Sequence, residues 1–323
     1  MSRGRRRVLP AVIGVVAMMI AVVLGACGGS AATSSARVST KVTVGVLPVI
    51  DVAPIYLGRQ QGFFAAEKID LTLKSVPQKD IIPAVDDGRF PFGFTEVTSL
   101  LLAQRRGRAL KIVAAGDSST GTVGRDFAAV TVRKGSPITR PRQLAGRTVA
   151  VDQRKGLSTS TINQLVRADG GNPKKIKFVE VPFARMPEAL ATRQVDAAGT
   201  VEPFLTLARR QGATPLAWNL AVLKPPLMVA AYVTSSSLET ANPDLVQRFA
   251  TAMNTSLDYA AQHPAQVRAV LSSYLSLDPE LTPALTLPTF RTAISEDSLT
   301  RLGALAVKDG LLARTPKVEA LMP

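Results

Sequence analysis

The strongest constraint on the fold is a pattern that the chain writes twice. Gly88-Arg89 leads through Phe90, Pro91 and Phe92 to Gly93-Phe94-Thr95-Glu96, then to an apolar run closed by Arg105-Arg106-Gly107. Further on, Arg193-Gln194-Val195-Asp196 leads to Gly199-Thr200-Val201-Glu202 and a run closed by Arg209-Arg210-Gln211-Gly212. Each copy is a strand running into a Thr, an acid within two residues, and a helix ended by cations and Gly. Cations there complement the negative end of the helix dipole.

The surrounding segments alternate in the same way. Val42, Val44 and Val46 have the period of a strand, and Ile55, Tyr56, Gln60, Phe63 and Phe64 recur at helical spacing behind Pro54 as far as Glu67. Strands are expected at 70–73, 92–95, 110–115, 128–132, 148–151, 177–181 and 196–199, with helices at 81–86, 96–106, 158–168, 186–192 and 202–210. Alternation of this kind is α/β, and a βα lobe written twice predicts two similar open sheets. Such sheets bind ligands at the carboxyl ends of their strands, where helix N-termini point. An apolar strand returns at 227–234, and Asn242-Pro243-Asp244 caps a helix running to Gln262. The first lobe is therefore expected to be interrupted and then completed: lobe 1 at 41–132 and 224–323, lobe 2 at 133–223. Lys224-Pro225-Pro226 makes a stiff crossover between them.

Composition removes several function classes. One Cys and one His in 323 residues leave no zinc site, iron–sulfur cluster or internal disulfide, so no metal is expected. His263, in Ala-Ala-Gln-His-Pro, reads as a solvated helix end rather than a catalytic base. Gly156-Leu157-Ser158-Thr159-Ser160 lacks the last Gly and the base of a nucleophile elbow, and 116–124 lacks the Lys-Ser/Thr of a phosphate loop, so no cofactor is expected. The net charge of +15 comes from dispersed Lys and Arg, with aromatics at 5% and no recognised nucleic-acid motif, which excludes a nucleic-acid partner.

Part of that charge belongs to an export signal. Arg3, Arg5, Arg6 and Arg7 precede an apolar run over 8–25, the n- and h-regions of a secretory signal, with a retained membrane anchor as the competing reading. The run ends in Leu24-Gly25-Ala26-Cys27-Gly28, which resembles a bacterial lipobox and makes Cys27, the only cysteine, the lipid attachment site. Removing 1–26 takes away four arginines and no acid, lowering the net charge from +15 to +11. Residues 27–40 have the Gly/Ser/Ala/Thr composition of a tether. The expected location is outside the bacterial cell membrane, held to it by lipid.

Val44-Gly45-Val46-Leu47-Pro48, Asp51-Val52-Ala53-Pro54, Gly62-Phe63-Phe64 and Ile69-Asp70-Leu71 resemble the opening of substrate-binding proteins of the nitrate/taurine/sulfonate and thiamine-pyrimidine uptake class. Leu144-Ala145-Gly146-Arg147-Thr148-Val149-Ala150-Val151 resembles the start of their second lobe, and Gln194-Val195-Asp196-Ala197 with Glu202-Pro203-Phe204 its end. The resemblance covers about 41–212 and implies a two-lobe periplasmic binding protein-like fold of type II. It also implies a monomeric lipoprotein delivering a small nitrogen- or sulfur-containing solute to an ABC permease: a sulfonate, a taurine-like amine, a pyrimidine or a related heterocycle. A ligand-sensing partner of a membrane signalling protein stands as the alternative. So does a pyrimidine-precursor synthase on the same fold, for which the chain lacks the histidine and cysteine-rich segment.

The resemblance also places a ligand contact in the loop carrying Ser158, Thr159 and Ser160, whose hydroxyls and free N–H groups otherwise read as an ordinary helix start. Ile50 and Asp51 in the first turn, Thr95 and Glu96 at the first copy of the repeat, Ser118 after the fourth strand, and Glu202 at the second copy complete the candidate site. Asp51 could equally cap its helix, and Glu96 and Glu202 could merely complement helix dipoles. If both glutamates face the cleft, the ligand offers donors or positive charge, and bare nitrate is a poor guest. Arg125, Arg154 and Lys155 leave room for an anionic group.

Overall fold

The computed structural model describes residues 39–223 and 225–323. The signal run, Cys27 and nearly all of the tether lie outside the described residues, as does Lys224 of the expected crossover. Among the described residues no helix is long and apolar enough to cross a membrane.

The first sheet grows from β1 (Thr40–Val46), whose Val42, Val44 and Val46 are buried. Helices α1 (Ala53–Gln60) and α2 (Phe63–Ala66) return the chain to β2 (Ile69–Ser75). Then α3 (Gln78–Asp86), β3 (Phe92–Glu96), α4 (Val97–Arg105) and β4 (Leu110–Ala115) follow. The single helix expected from Pro54 to Glu67 is two, because Gly62 takes a φ of +82° that stops α1 and turns the chain into α2. The second sheet contains β5 (Ala128–Val132), β6 (Thr148–Val151), α5 (Leu157–Ala168), β7 (Lys177–Glu180), α6 (Met186–Ala191), β8 (Ala197–Val201), α7 (Phe204–Arg210) and β9 (Thr214–Ala217). The chain then re-enters the first sheet with β10 (Ala230–Ser235) and ends in α8 (Ser236–Ala241), α9 (Pro243–Gln262), α10 (Pro264–Val270) and α11 (Glu296–Lys308).

The two sheets have the same plan. Their orders are β2-β1-β3-β10-β4 and β7-β6-β8-β5-β9, three parallel strands followed by one antiparallel strand and an edge. Strand β5 corrects the expected boundary at 133. It pairs with β8 (Val130 opposite Gly199) and with β9, so 128–132 belongs to the second sheet rather than to lobe 1. An alternating apolar strand carries no mark of which sheet will accept it, and the short edge strand β9, interrupted by Pro215, was not foreseen at all.

Each sheet has its own core. On the first, α9 lays Phe249 flat on Phe92 at 3.9 Å and against Phe64 at 5.8 Å. Helices α1 and α9 approach so closely that a Cβ on Gly58 would lie 1.8 Å from Ser256 Oγ. On the second, Val130, Val149, Val151, Ile162 and Val166 pack on one face and Met186, Leu190 and Val195 on the other. The crossovers, 116–127 and 218–229, run beside each other: Val229 N–H donates to Asp117 O at 3.0 Å and Ser119 N–H to Leu227 O at 2.8 Å.

Candidate functional site

A cavity of about 60 Å³ lies where the carboxyl ends of the two sheets' strands face each other. The first sheet supplies Asp51 from the turn after β1 and Glu96 from the end of β3. The second supplies Asp152 from the end of β6 and Ser158 from the first turn of α5. Phe127 and Asn219 enter from the crossovers. Among the described residues, no basic side chain lines this cavity.

Glu96 reaches from one lobe to the other. Its Oε2 accepts from Leu157 N–H, at the start of α5, at 2.5 Å, and Ser99 Oγ donates to its Oε1 at 2.6 Å. Gly156 is what makes room, since a Cβ there would lie 2.6 Å from Glu96 Oε1. Burial pushes the Glu96 carboxyl up to about 8, helped by the charge on Asp152 and opposed by its two hydrogen bonds. A second contact across the cleft joins Ser99 Oγ and Gln153 Oε1 at 3.0 Å.

The other acids are raised for the same first reason. Burial moves Asp51 up to about 7, against the pull of hydrogen bonds from its own backbone and from Asp117. Asp117, just beneath and only 1% exposed, is raised by burial and by the charges of Asp51 and Asp126. Each carboxyl of this buried pair thus disfavours ionisation of the other. Burial likewise lifts Asp152 to about 6, while Ser158 Oγ donates to its Oδ1 at 2.8 Å and holds it lower.

Of the residues expected at the site, Asp51, Glu96 and Ser158 meet at the cavity. Asp51 is not an N-cap: the cap position of α1 is Val52, with no side-chain cap. The others lie elsewhere. Ile50 is core, and Thr95 sits behind the wall, its Oγ1 accepting from Gln78 Nε2 at 2.8 Å. Ser118 exchanges backbone hydrogen bonds with Thr289 at 2.9 Å, and Thr159 Oγ1 donates to Gln153 O at 3.0 Å. Ser160 is fully buried within α5.

Glu202 is not among the residues lining the cavity. Just ahead of α7, it accepts from Thr206 N–H at 3.0 Å, Thr206 Oγ1 at 2.8 Å and, from the other lobe, Thr286 N–H at 3.1 Å. The sequence repeat thus holds for the scaffold, and each glutamate accepts a backbone N–H from the other lobe, Leu157 for Glu96 and Thr286 for Glu202, though only Glu96 lines the cavity. Asp152, which takes the place expected of Glu202, was missed. It follows β6 much as Asp51 follows β1, an acid just past the end of an inner strand, and that signal could have found it.

His263 closes α9 half-buried, its ring stacked on Tyr259 at 3.8 Å, rather than fully solvated. It is not among the residues lining the cavity.

A family model described as NMT1/THI5 like matches residues 49–267, from the turn after β1 into α10. The chain belongs to the NMT1/THI5-like family. The family match runs past Gly212, where the resemblance read from motifs ends, and takes in β10 and all of α9. Among curated proteins, the riboflavin-binding protein RibY of Chloroflexus aurantiacus is 24% identical over 212 residues, which is 64% of this chain and 58% of RibY. The chain thus matches little more than half the length of that relative. Among solved structures, the alkanesulfonate-binding protein SsuA from Xanthomonas axonopodis pv. citri, bound to MOPS, superposes with a TM-score of 0.74 at 18% identity, covering 89% of this chain and 99% of SsuA. The ligand-binding component of an ABC-type import system from Staphylococcus aureus does so at 0.74 and 16%, covering 88% and 96%. This member of the NMT1/THI5-like family has the periplasmic binding protein fold, as expected from its motifs.

Proposed function

We propose that this NMT1/THI5-like chain is an extracytoplasmic solute-binding protein, lipid-anchored through Cys27, that delivers a small nitrogen-bearing solute to an ABC importer. The similarity to SsuA, to the Staphylococcus aureus import component and to RibY supports the binding role. The observation that carries the choice of solute is the cavity wall: three carboxyls, Asp51, Glu96 and Asp152, and no cation among the described residues. An anion placed there would be desolvated beside acids with nothing to neutralise it. An amine or a nitrogen heterocycle brings N–H donors that the carboxyls accept, and a positive charge that keeps them ionised.

Binding works by closure and needs no bond-making step. A cavity of about 60 Å³ holds only a few waters. A benzene-sized guest needs roughly 150 Å³, so the solute enters when the lobes part about the paired crossovers. The bonds from Glu96 to Leu157 N–H and between Ser99 and Gln153 then re-form over it. A ligand that binds the closed arrangement better shifts the population toward it, and the importer reads that state.

A thermal-shift screen of the full-length protein tests this, with primary amines and aminopyrimidines set against nitrate and amine-free alkanesulfonates. A ligand at about 100 times its Kd adds roughly 2.7 kcal/mol, so hits are expected among the nitrogen compounds. Stabilisation by nitrate or plain alkanesulfonates alone would reverse the assignment. Changing Cys27 to Ser should release the protein from the membrane fraction or block its processing.

A further inference from the structure

Asn219 lies near the start of the crossover 218–229, is only 4% exposed, and lines the acid-walled cavity. A neighbour tells the two ends of its side-chain amide apart. Thr161, in the second turn of α5, has a single hydroxyl hydrogen, which its Oγ1 donates to Leu157 O at 2.9 Å, with Ser158 O at 3.1 Å. Toward Asn219 the same oxygen can therefore only accept, so it is Asn219 Nδ2 that faces it, at 2.8 Å. What Asn219 has left to offer the cavity is Oδ1. That oxygen is buried and has no hydrogen-bond partner among the described residues.

Among the described residues that line the cavity, the only other buried side-chain oxygen without a partner is Asp51 Oδ2. Glu96, by contrast, has both oxygens engaged, by Leu157 N–H and Ser99 Oγ. Asp51 and Asn219 are not equivalent either. A carboxyl can take up a proton and donate, whereas an amide oxygen accepts at every pH. A buried acceptor left without a donor loses its hydration for nothing, and a site built around one discriminates against a guest that lacks the matching N–H.

We infer that Asn219 is a specificity-determining residue of this site: its Oδ1 takes an uncharged N–H of the solute, and the cavity rejects a methyl group or a hydrogen-bond acceptor in the same place. The inference rests on the nitrogen-bearing solute proposed above and adds to it a second donor, distinct from the one the carboxyls receive. Thr161 acts through Asn219, as a positioning residue that keeps the amide from turning over.

Calorimetric titration of the full-length protein with 4-aminopyrimidine and 4-methylpyrimidine tests this, because the two differ only by NH2 for a CH3 of nearly the same size. The unaltered protein should bind the amine about tenfold or more tighter. N219L, close in shape but without the acceptor, should bring the two probes to within about threefold of each other. T161V removes only the hydroxyl that holds the amide, at a position outside the cavity wall, and should narrow the same preference. Either variant decides the matter alone if the other does not fold. If the unaltered protein prefers the amine and the folded variants keep the full preference, Asn219 is not the selector, and the nitrogen-bearing solute stands without it. If the unaltered protein binds the methyl compound as well as the amine, or binds neither, the donor-selective wall is wrong. Binding of nitrate or a plain alkanesulfonate in their place would remove the nitrogen-bearing solute as well.

Discussion

Glu96 and Glu202 show how far one side chain's surroundings decide its work. Glu96 has a pKa near 8 and is mostly protonated at neutral pH, so Gln is close to its native form in shape and charge. E96Q should therefore fold and unfold normally near pH 7. Its effect appears with rising pH. Asp51, Asp152 and Glu96 are raised from 3.8 to about 7, from 3.8 to about 6 and from 4.5 to about 8. Between the unfolded and folded values the native state holds more protons than the unfolded chain, so stability falls as pH rises through that window. Unliganded protein should melt lower at about pH 8.5 than at about pH 5, and E96Q should flatten the upper part of that decline. A melting curve that rises across the same range would contradict these assignments. Glu202 serves two donors of Thr206 in its own lobe and the Thr286 N–H of the other, and a Gln amide can satisfy fewer of them. E202Q should cost about 1–3 kcal/mol in urea unfolding. Weaker binding at unchanged stability would put Glu202 back on the cleft wall.

At the level of elements, close approach matters more than propensity. The α1–α9 contact depends on Gly58, where a methyl group would meet both Ser256 Oγ at 1.8 Å and Ser256 Cβ at 2.7 Å. Overpacking of this kind costs about 1–3 kcal/mol, so G58A should lower the urea midpoint, and S256G should recover part of the loss. If G58A were neutral, the helices would have room to separate and this packing would not be essential. Most of these elements were legible from the sequence, because a strand's period of two and the Pro, Gly and Arg marks at helix ends are local signals. Which sheet took β5 was not, since Val130 and Val132 would suit either core. The site was half legible for the same reason. Asp51 and Glu96 follow from their place at strand ends, but that Glu96 meets Leu157 beside the cavity while Glu202 is taken up by Thr206 and Thr286 depends on residues far apart in the chain, which no local pattern reveals.

The whole molecule places two like-built sheets across a cleft, joins them by two crossovers that run antiparallel beside each other, and concentrates buried acid at the centre. On the function proposed above, these features belong to a device that recognises charge and closes. Its central claim concerns the solute, and that can be read directly. Protein purified without denaturation from the cell that makes it should be sprayed as a native complex and its bound small molecule released and identified by mass. The account predicts a solute with at least one basic or hydrogen-bond-donating nitrogen. A nitrogen-free acid, such as a plain alkanesulfonate, in the cleft would contradict it.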